Sequence, residues 1–272
     1  MTKISVIMGA YNVAKDEGIL DKAMQSILNQ TFSDFEFIIC DDGSDDCTYE
    51  LLKKYEALDT RIVLLKNEKN MGLAKTLNVC LSHAKANFIA RMDADDFCNL
   101  SRFEKQYNYL VEHLECDVVS TDAIYFDGVK NVGKTDYNKI IDKKDFLFNS
   151  PVIHASIMAR KSAYDLVENY SEENYAYRVE DYDLFMRMKA KGVNFHTLKE
   201  PLYYIREDIN TFKRRKYKYR INEFKVRWKG FKNLGILFPK GVFYLVKPLV
   251  VGLLPASFMK KRRAKRIKSI EE

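Results

Sequence analysis

Nowhere in the 272 residues is there a run of about 20 apolar residues unbroken by charge or proline, the length a membrane-spanning helix needs. The nearest approach, residues 236–259, is broken by Pro239, Lys240, Lys247, Pro248 and Pro255. A lysine near the centre of a span is expensive, so the expectation is an element that embeds in an interface without crossing it. No signal peptide is expected either. Met1-Thr2-Lys3 leads straight into Ile4-Ser5-Val6-Ile7-Met8, which is too short for the apolar core of a signal peptide and has no small-residue cleavage site. The five cysteines (Cys40, Cys47, Cys80, Cys98 and Cys116) are odd in number, scattered and without metal-ligand spacing. That excludes a disulfide scaffold and a zinc module, and the expectation is free thiols in a reducing compartment. Internal repeats and low-complexity segments are absent from the body of the chain.

What is present suits one large α/β domain with an appendage: 47% of residues are hydrophobic and 13% aromatic. The net charge of +7 conceals a division. Residues 1–198 carry 24 Lys and Arg against 32 Asp and Glu, whereas residues 199–272 carry 21 against 6. An acidic body with a strongly basic tail implies a polyanionic partner for the tail, either nucleic acid or an anionic membrane surface. Residues 213–220 (Lys-Arg-Arg-Lys-Tyr-Lys-Tyr-Arg) interleave cations and aromatics as single-stranded nucleic acid binding would need. Lys260-Lys261-Arg262-Arg263 and Lys265-Arg266 instead follow an apolar segment, an arrangement that fits lipid headgroups. The acidic body and this adjacency favour the membrane, and no nucleic acid partner is expected.

Along the body, short apolar runs alternate with amphipathic stretches. Strands are expected at 4–8, 35–40, 62–65 and 88–92, and helices at 18–29, 47–58, 72–84 and 100–113. Ser44 or Asp45 is the expected N-cap of the second helix. Strand–helix units of roughly 25 to 30 residues imply a parallel sheet covered on both faces. Beyond Asp117 the expected elements are strands at 118–126 and 155–159, a short helix at 142–148, a helix opened by Glu180-Asp181, and short strands at 195–198 and 202–205. In open α/β sheets ligands bind outside the strand C-termini. That rule gathers Gly9-Ala10-Tyr11-Asn12, Asp41-Asp42 and Asp93-Ala94-Asp95-Asp96 at one crevice. Carboxylates crowded at the end of a buried strand repel one another, and a hard divalent cation relieves them. This stretch therefore reads as a metal–diphosphate site, or alternatively as an acidic loop.

The order of motifs resembles the family 2 glycosyltransferases. The resemblance spans residues 4–206. It rests on Ser5-Val6-Ile7-Met8-Gly9-Ala10-Tyr11-Asn12, Ser26-Ile27-Leu28-Asn29-Gln30-Thr31, Asp41-Asp42-Gly43-Ser44, Asn70-Met71-Gly72-Leu73-Ala74, Arg91-Met92-Asp93-Ala94-Asp95-Asp96 and Glu180-Asp181-Tyr182-Asp183-Leu184. It implies a GT-A fold: a mostly parallel central sheet flanked by helices, with a Rossmann-like nucleotide-binding half at about 1–98 and an acceptor half at 99–206. Residues 207–272 would form a basic, partly apolar helical extension. The implied activity is inverting transfer of a sugar from a UDP-sugar or dTDP-sugar to a saccharide hydroxyl, with Mn²⁺ or Mg²⁺ as cofactor.

The resemblance also distributes roles. Ala10, Tyr11 and Asn12 would border the nucleobase, and Asp41 would accept its N–H. Asn70, Lys75, Arg91, Asp93 and Ala94 would complete the nucleotide-sugar site. For Lys75 a solvated helix face is the alternative, and for Arg91 a structural salt bridge. Asp95 would be the principal metal ligand, with Asp93 and His154 beside it. Asp181 would be the general base, and Glu180 would belong to the acceptor region. The chain departs from the family at Ala86-Asn87, where a Gly usually precedes the fourth strand. Phe185-Met186 stands where the family often has a Trp-containing helix. No Gln-Xaa-Xaa-Arg-Trp signature or set of spanning helices occurs, which favours single addition over polymerisation. The rival readings are a metal-dependent nucleotidyltransferase and a non-enzymatic nucleic-acid-binding protein.

Overall fold

The protein is described here as a computed structural model covering residues 2–127, 130–137, 139–206 and 216–253. The expected basic runs at 213–215 and 260–266 lie outside the described residues.

The first strand, β1 (Ile4–Ala10), is buried along almost its whole length, as a run with both faces covered must be. It pairs in parallel with β2 (Phe35–Asp41) on one side and β4 (Phe88–Arg91) on the other, and β3 (Ile62–Lys66) extends the sheet beyond β2. Helices α1 (Glu17–Leu28), α2 (Thr48–Leu58) and α3 (Leu73–His83) make the crossovers. Two apolar layers result. Val6, Met8, Leu20, Met24 and Phe37 fill one face, and Ile7, Ile38, Leu77 and Leu81 fill the other. The alternation along each strand assigns its residues to the two faces.

The second half completes a ten-stranded sheet, eight of whose strands run in the order β3-β2-β1-β4-β9-β6-β10-β5, with β7 pairing β6 and β8 pairing β10 off that path. Its members are β5 (Phe97–Cys98), β6 (Val118–Phe126), β7 (Asn131–Lys134), β8 (Ile140–Ile141), β9 (Met158–Arg160) and β10 (Phe195–Arg206). The strand expected at 155–159 is displaced. His154–Ser156 is a 3-10 turn, and the strand proper is β9. β9 runs antiparallel to both β4 and β6, so the sheet is mixed at its centre. The two short strands expected at 195–198 and 202–205 are one strand, β10, whose register shifts between Leu198 and Tyr203 at Pro201. Proline lacks the N–H that the ladder needs there.

Helix α4 (Arg102–Glu112) lies on the sheet between β5 and β6, and α6 (Glu180–Ala190) lies on the other face with α5 (Lys161–Asp165) near it. α7 (Tyr217–Leu234) packs on α6 through Val226, Phe231 and Leu234, which belong to the same apolar cluster as Leu184 and Phe185. Its Arg227 is completely buried. The guanidinium donates to Leu147 O at 2.9 Å, Phe148 O at 3.0 Å and Glu223 Oε1 at 3.0 Å, so this part of the basic extension is seated in the fold. A kinked turn at Leu237–Gly241 leads to α8 (Val242–Gly252), which returns along α7. Among the described residues no helix is long and apolar enough to cross a membrane.

Candidate functional site

Three loops follow β1, β2 and β3 at the same sheet edge, and hydrogen bonds lock them together; the acidic loop after β4 opens at that edge too. Asn12 has φ +51°, a left-handed conformation that asparagine tolerates better than most residues. Its N–H donates to Ser44 Oγ at 3.0 Å, and its side-chain oxygen accepts from Asp45 N at 3.1 Å. Thr48 Oγ1 accepts from both Val13 N and Ala14 N. Ser44 and Asp45 are therefore bound to the first loop and do not cap α2. Cys47 occupies the cap position without a side-chain bond, and Asp46 accepts from Thr48 N at 3.0 Å. The Tyr11 side chain remains exposed at the mouth, while Ala10 is buried behind it.

The two aspartates ending β2 divide their work. Asp42 accepts from Met71 N at 2.8 Å, Gly72 N at 2.9 Å and Asn67 Nδ2 at 2.9 Å, and so holds the 70–72 loop. Asp41 has no exposed surface. Its Oδ2 accepts from Ser44 N at 3.2 Å, and its Oδ1 has no hydrogen-bond partner among the described residues. A buried carboxylate oxygen without a donor is costly, and a ligand N–H would satisfy it. Gly43, at φ +66°, brings the loops closer still. A Cβ there would stand 2.5 Å from Lys69 Cα and 2.8 Å from Asn70 N. Asn70 is exposed beside this contact, and Lys75 lies one turn into α3 with its Nζ 3.9 Å from Glu172.

At the end of β4, candidate ligand oxygens of Asp93, Asp95 and Asp96 lie within 4.8 Å of one another. Ala94 between them is buried, which turns the flanking carboxylates outward together. Asp96 is buried and its Oδ1 accepts from Arg206 N at 2.8 Å, while Asp93 N donates to Tyr203 Oη at 3.1 Å. Tyr203 and Arg206 on β10 thus support the loop from below. Desolvation, then the charge of Asp93, raises the pKa of Asp95. Burial, then Asp93 and Asp95, pushes Asp96 well above the ordinary carboxylate range. A group of hard oxygen donors kept apart by their own repulsion fits a divalent cation. Beside the group a cleft of about 260 Å³ is walled by Lys22, Phe97, Phe126 and Arg206.

Arg91, the last residue of β4, is almost wholly buried beneath this loop, with Nη1 2.5 Å from Asp93 Oδ2. The ion pair joins Arg91 to the acidic cluster. His154 is not a member of the three-aspartate group. Its Nε2 is 2.6 Å from Tyr170 Oη, and its ring packs edge-on against Phe185. Burial, assisted by the Arg91 charge, holds its pKa well below the usual histidine range, so the ring is neutral. The ligand group found among the described residues is thus three carboxylates without the histidine expected beside them. Asp181 stands in the first turn of α6 and accepts from Tyr182 N at 2.7 Å. Burial raises its pKa, and the Arg91 charge opposes the rise. Glu180 beside it is raised to about 7 by burial and then by Asp181.

Sequence reasoning missed the residues that hold these loops. Asp42 is one. Arg102 and Gln106, four apart on α4, are others. Arg102 Nη2 donates to Arg91 O at 2.8 Å and Nε to Gln106 Oε1 at 2.9 Å; Gln106 Nε2 donates to Ser156 O at 2.8 Å and Val119 O at 3.0 Å. They tie the end of β4 to the 154–156 turn. Their signal was available, since both fall in the stripe of Phe103 and Leu110 where a polar side chain must have a buried partner. Gln30, at the end of the Ser26–Gln30 motif, similarly donates to Asn99 O at 2.8 Å and accepts from Phe103 N at 2.9 Å.

Residues 5–167 match the model of glycosyl transferase family 2. The chain belongs to that family. Family 2 relatives include EpsE of Bacillus subtilis (strain 168), a protein named as a glycosyltransferase. It is 36% identical over 271 residues, covering 99% of this chain and 96% of its own length. The UDP-Gal:alpha-D-GlcNAc-diphosphoundecaprenol beta-1,3-galactosyltransferase of Escherichia coli is 30% identical over 264 residues, covering 94% and 93%. Among solved structures, residues 1–349 of S. aureus TarS in complex with UDP-GlcNAc superpose with a TM-score of 0.67. That match covers 92% of this chain and 71% of TarS 1–349 at 20% identity, a likeness of fold. Family 2 membership makes this chain a glycosyltransferase, which sets aside nucleotidyl transfer and a purely nucleic-acid-binding role.

Proposed function

We propose that the chain is an inverting, metal-dependent glycosyltransferase that moves a sugar from a UDP-sugar or dTDP-sugar to a hydroxyl of a saccharide, itself lipid-linked, in cell-surface glycan synthesis. Residues 1–206 act as the catalytic domain. The observation that carries the reading is the polarity of one sheet edge. An unsatisfied acceptor, Asp41 Oδ1, ends β2, three convergent carboxylates follow β4, and Asp181, which feels the charges of Arg91 and Asp93, stands in the first turn of α6.

In this reading Tyr11 and Ala10 border the base, and Asp41 accepts the N–H of uracil or thymine. Asn12, Asn70 and Lys75 line the same mouth. Asp93 receives the ribose and, with Asp95, would hold Mn²⁺ or Mg²⁺. Such an ion, when bound, supplies charge neutralisation to a leaving diphosphate. Arg91 fixes Asp93 from beneath. Asp181 takes the proton of the acceptor hydroxyl while that oxygen bonds to C1. The bond between C1 and the phosphate oxygen breaks on the opposite face, and the nucleoside diphosphate departs. Displacement from the opposite face inverts C1. Glu180 sits where it can contact the acceptor. His154 bonds to Tyr170 beneath this site.

The basic tail holds the enzyme on an anionic membrane, at the inner face of the cell membrane, where a lipid-linked acceptor is within reach. Asp181→Asn tests the base. Sugar transfer should fall by about 100-fold or more, the range that general base catalysis supplies, with nucleotide affinity retained. In the wild type, the acidic limb of the pH–rate profile should lie above the ordinary carboxylate range, because burial raises Asp181 and the base works only when deprotonated. Transfer by Asp181→Asn at the wild-type rate would rule out this assignment.

A further inference from the structure

We infer that the outer face of α8, with the kink before it, is a ridge that inserts into the headgroup–acyl boundary of an anionic bilayer. This deepens the proposed function by naming the part of the extension that embeds, and it rests on the reading that the chain works at a membrane.

α8 has two unlike faces. Leu245 and Pro248 point into the fold, and Gly252 lies against Tyr217 and Arg220 of α7. Phe243, Val246, Val250 and Leu253 recur at steps of three and four residues and, with Val242 beside Phe243, form a single stripe on the opposite side. That stripe is open to solvent: Phe243 is 77% exposed and Leu253 75%. Phe238, in the kink, extends it at 76%. Scattered exposed apolar residues need no explanation, but a contiguous ridge with two phenylalanines marks an interaction surface. The helix is too short to span, and α7 is anchored to the body by Arg227, so the ridge can enter a bilayer only from the side.

Charge identifies the partner. Between Glu223 and Glu271 the sequence has no acidic residue and thirteen Lys and Arg. Seven of these, Lys260, Lys261, Arg262, Arg263, Lys265, Arg266 and Lys268, fall within the nine residues 260–268 that come after the helix in the sequence. A second copy of the chain would bring two such segments together and repel. An anionic lipid surface receives both the cations and the ridge, and the two contributions add.

The test is co-sedimentation of the full chain with vesicles of phosphatidylglycerol and phosphatidylcholine in equal parts. The comparison is with Phe243→Ser/Val250→Ser and with Lys260→Gln/Lys261→Gln/Arg262→Gln/Arg263→Gln. The ridge variant replaces exposed side chains, so it should melt as the wild type does. Its partitioning should weaken by about 100-fold, from the apolar area withheld from the bilayer. The tail variant should bind more weakly and lose its preference over pure phosphatidylcholine vesicles. If the wild type and the ridge variant bind equally while the tail variant does not, the ridge is overturned and the membrane reading stands. If the wild type binds no vesicles, the membrane reading falls with it. If the wild type is instead a dimer that the ridge variant converts to monomer, the face is a contact between copies, and the inference is wrong.

Discussion

Asp41→Asn exchanges a single atom type at the deepest point of the site. Asp41 Oδ1 is buried without a partner, while Oδ2 accepts from Ser44 N at 3.2 Å. Asparagine has the same shape. Its carbonyl can keep the Ser44 bond, leaving its NH₂ group where Oδ1 stood. A uracil N3–H that donates to Oδ1 would then meet another donor. A hydrogen bond to a charged group contributes about 1.5–3 kcal/mol, so the dissociation constant for UDP should rise about 10- to 150-fold. Stability should change by less than about 1 kcal/mol, because volume and the Ser44 contact are retained. Isothermal titration with UDP and CDP, alongside thermal melting, reads both quantities. Cytosine carries a bare acceptor at N3. The wild type should therefore prefer UDP, and the variant should lose or reverse that preference. An unchanged UDP affinity in a folded Asp41→Asn protein would refute the idea that Oδ1 awaits a base N–H.

Other expectations follow from the same loops. Gly43→Ala should cost about 2 kcal/mol or more and weaken nucleotide binding, since the methyl group meets the Lys69–Asn70 backbone at a left-handed φ; denaturant melts would show it. Glu180 is raised from 4.5 to about 7, so the folded state keeps a proton that the unfolded state has lost. Its contribution is fully present below about 4.5 and is lost as the pH rises through about 7. Glu180→Gln should accordingly gain up to about 3 kcal/mol over the wild type at pH 8 relative to pH 4, read from urea unfolding at both values. An equal difference at the two pH values would contradict that burial effect.

The nucleotide-binding half was the more legible part of the sequence, for a physical reason. Strands such as 4–8 and 35–40 are covered on both sides, so they appear as short, mostly apolar runs between amphipathic helices, broken only by Ser5 and Glu36, which bond to each other. The second half carries less of this signal. Nothing in Ala155-Ser156-Ile157-Met158-Ala159 reports that its strand runs antiparallel between β4 and β6, or that its first residues turn as a 3-10 helix. Those features are set by Arg102 and Gln106, about 50 residues away in the chain. The carboxylate group was visible because its members are neighbours in sequence. The division of labour between Asp41 and Asp42 was not, since it depends on which of the two reaches the 70–72 backbone. The basic extension showed its charge and apolar content plainly. That Arg227 is an internal anchor while Phe243 is exposed emerges only once α7 and α8 are packed on the body.

The central claim is that Asp95 and its neighbours serve the departure of a nucleoside diphosphate from a UDP-sugar or dTDP-sugar. The most direct measurement is nucleotide release from a panel of UDP-, dTDP- and GDP-sugars with Mn²⁺ or with chelator, by the wild type and by Asp95→Ala. The account predicts UDP or dTDP release by the wild type that requires the divalent cation and falls by about 100-fold or more in Asp95→Ala. Release that persists in chelator, or that is unaffected by Asp95→Ala, would contradict it.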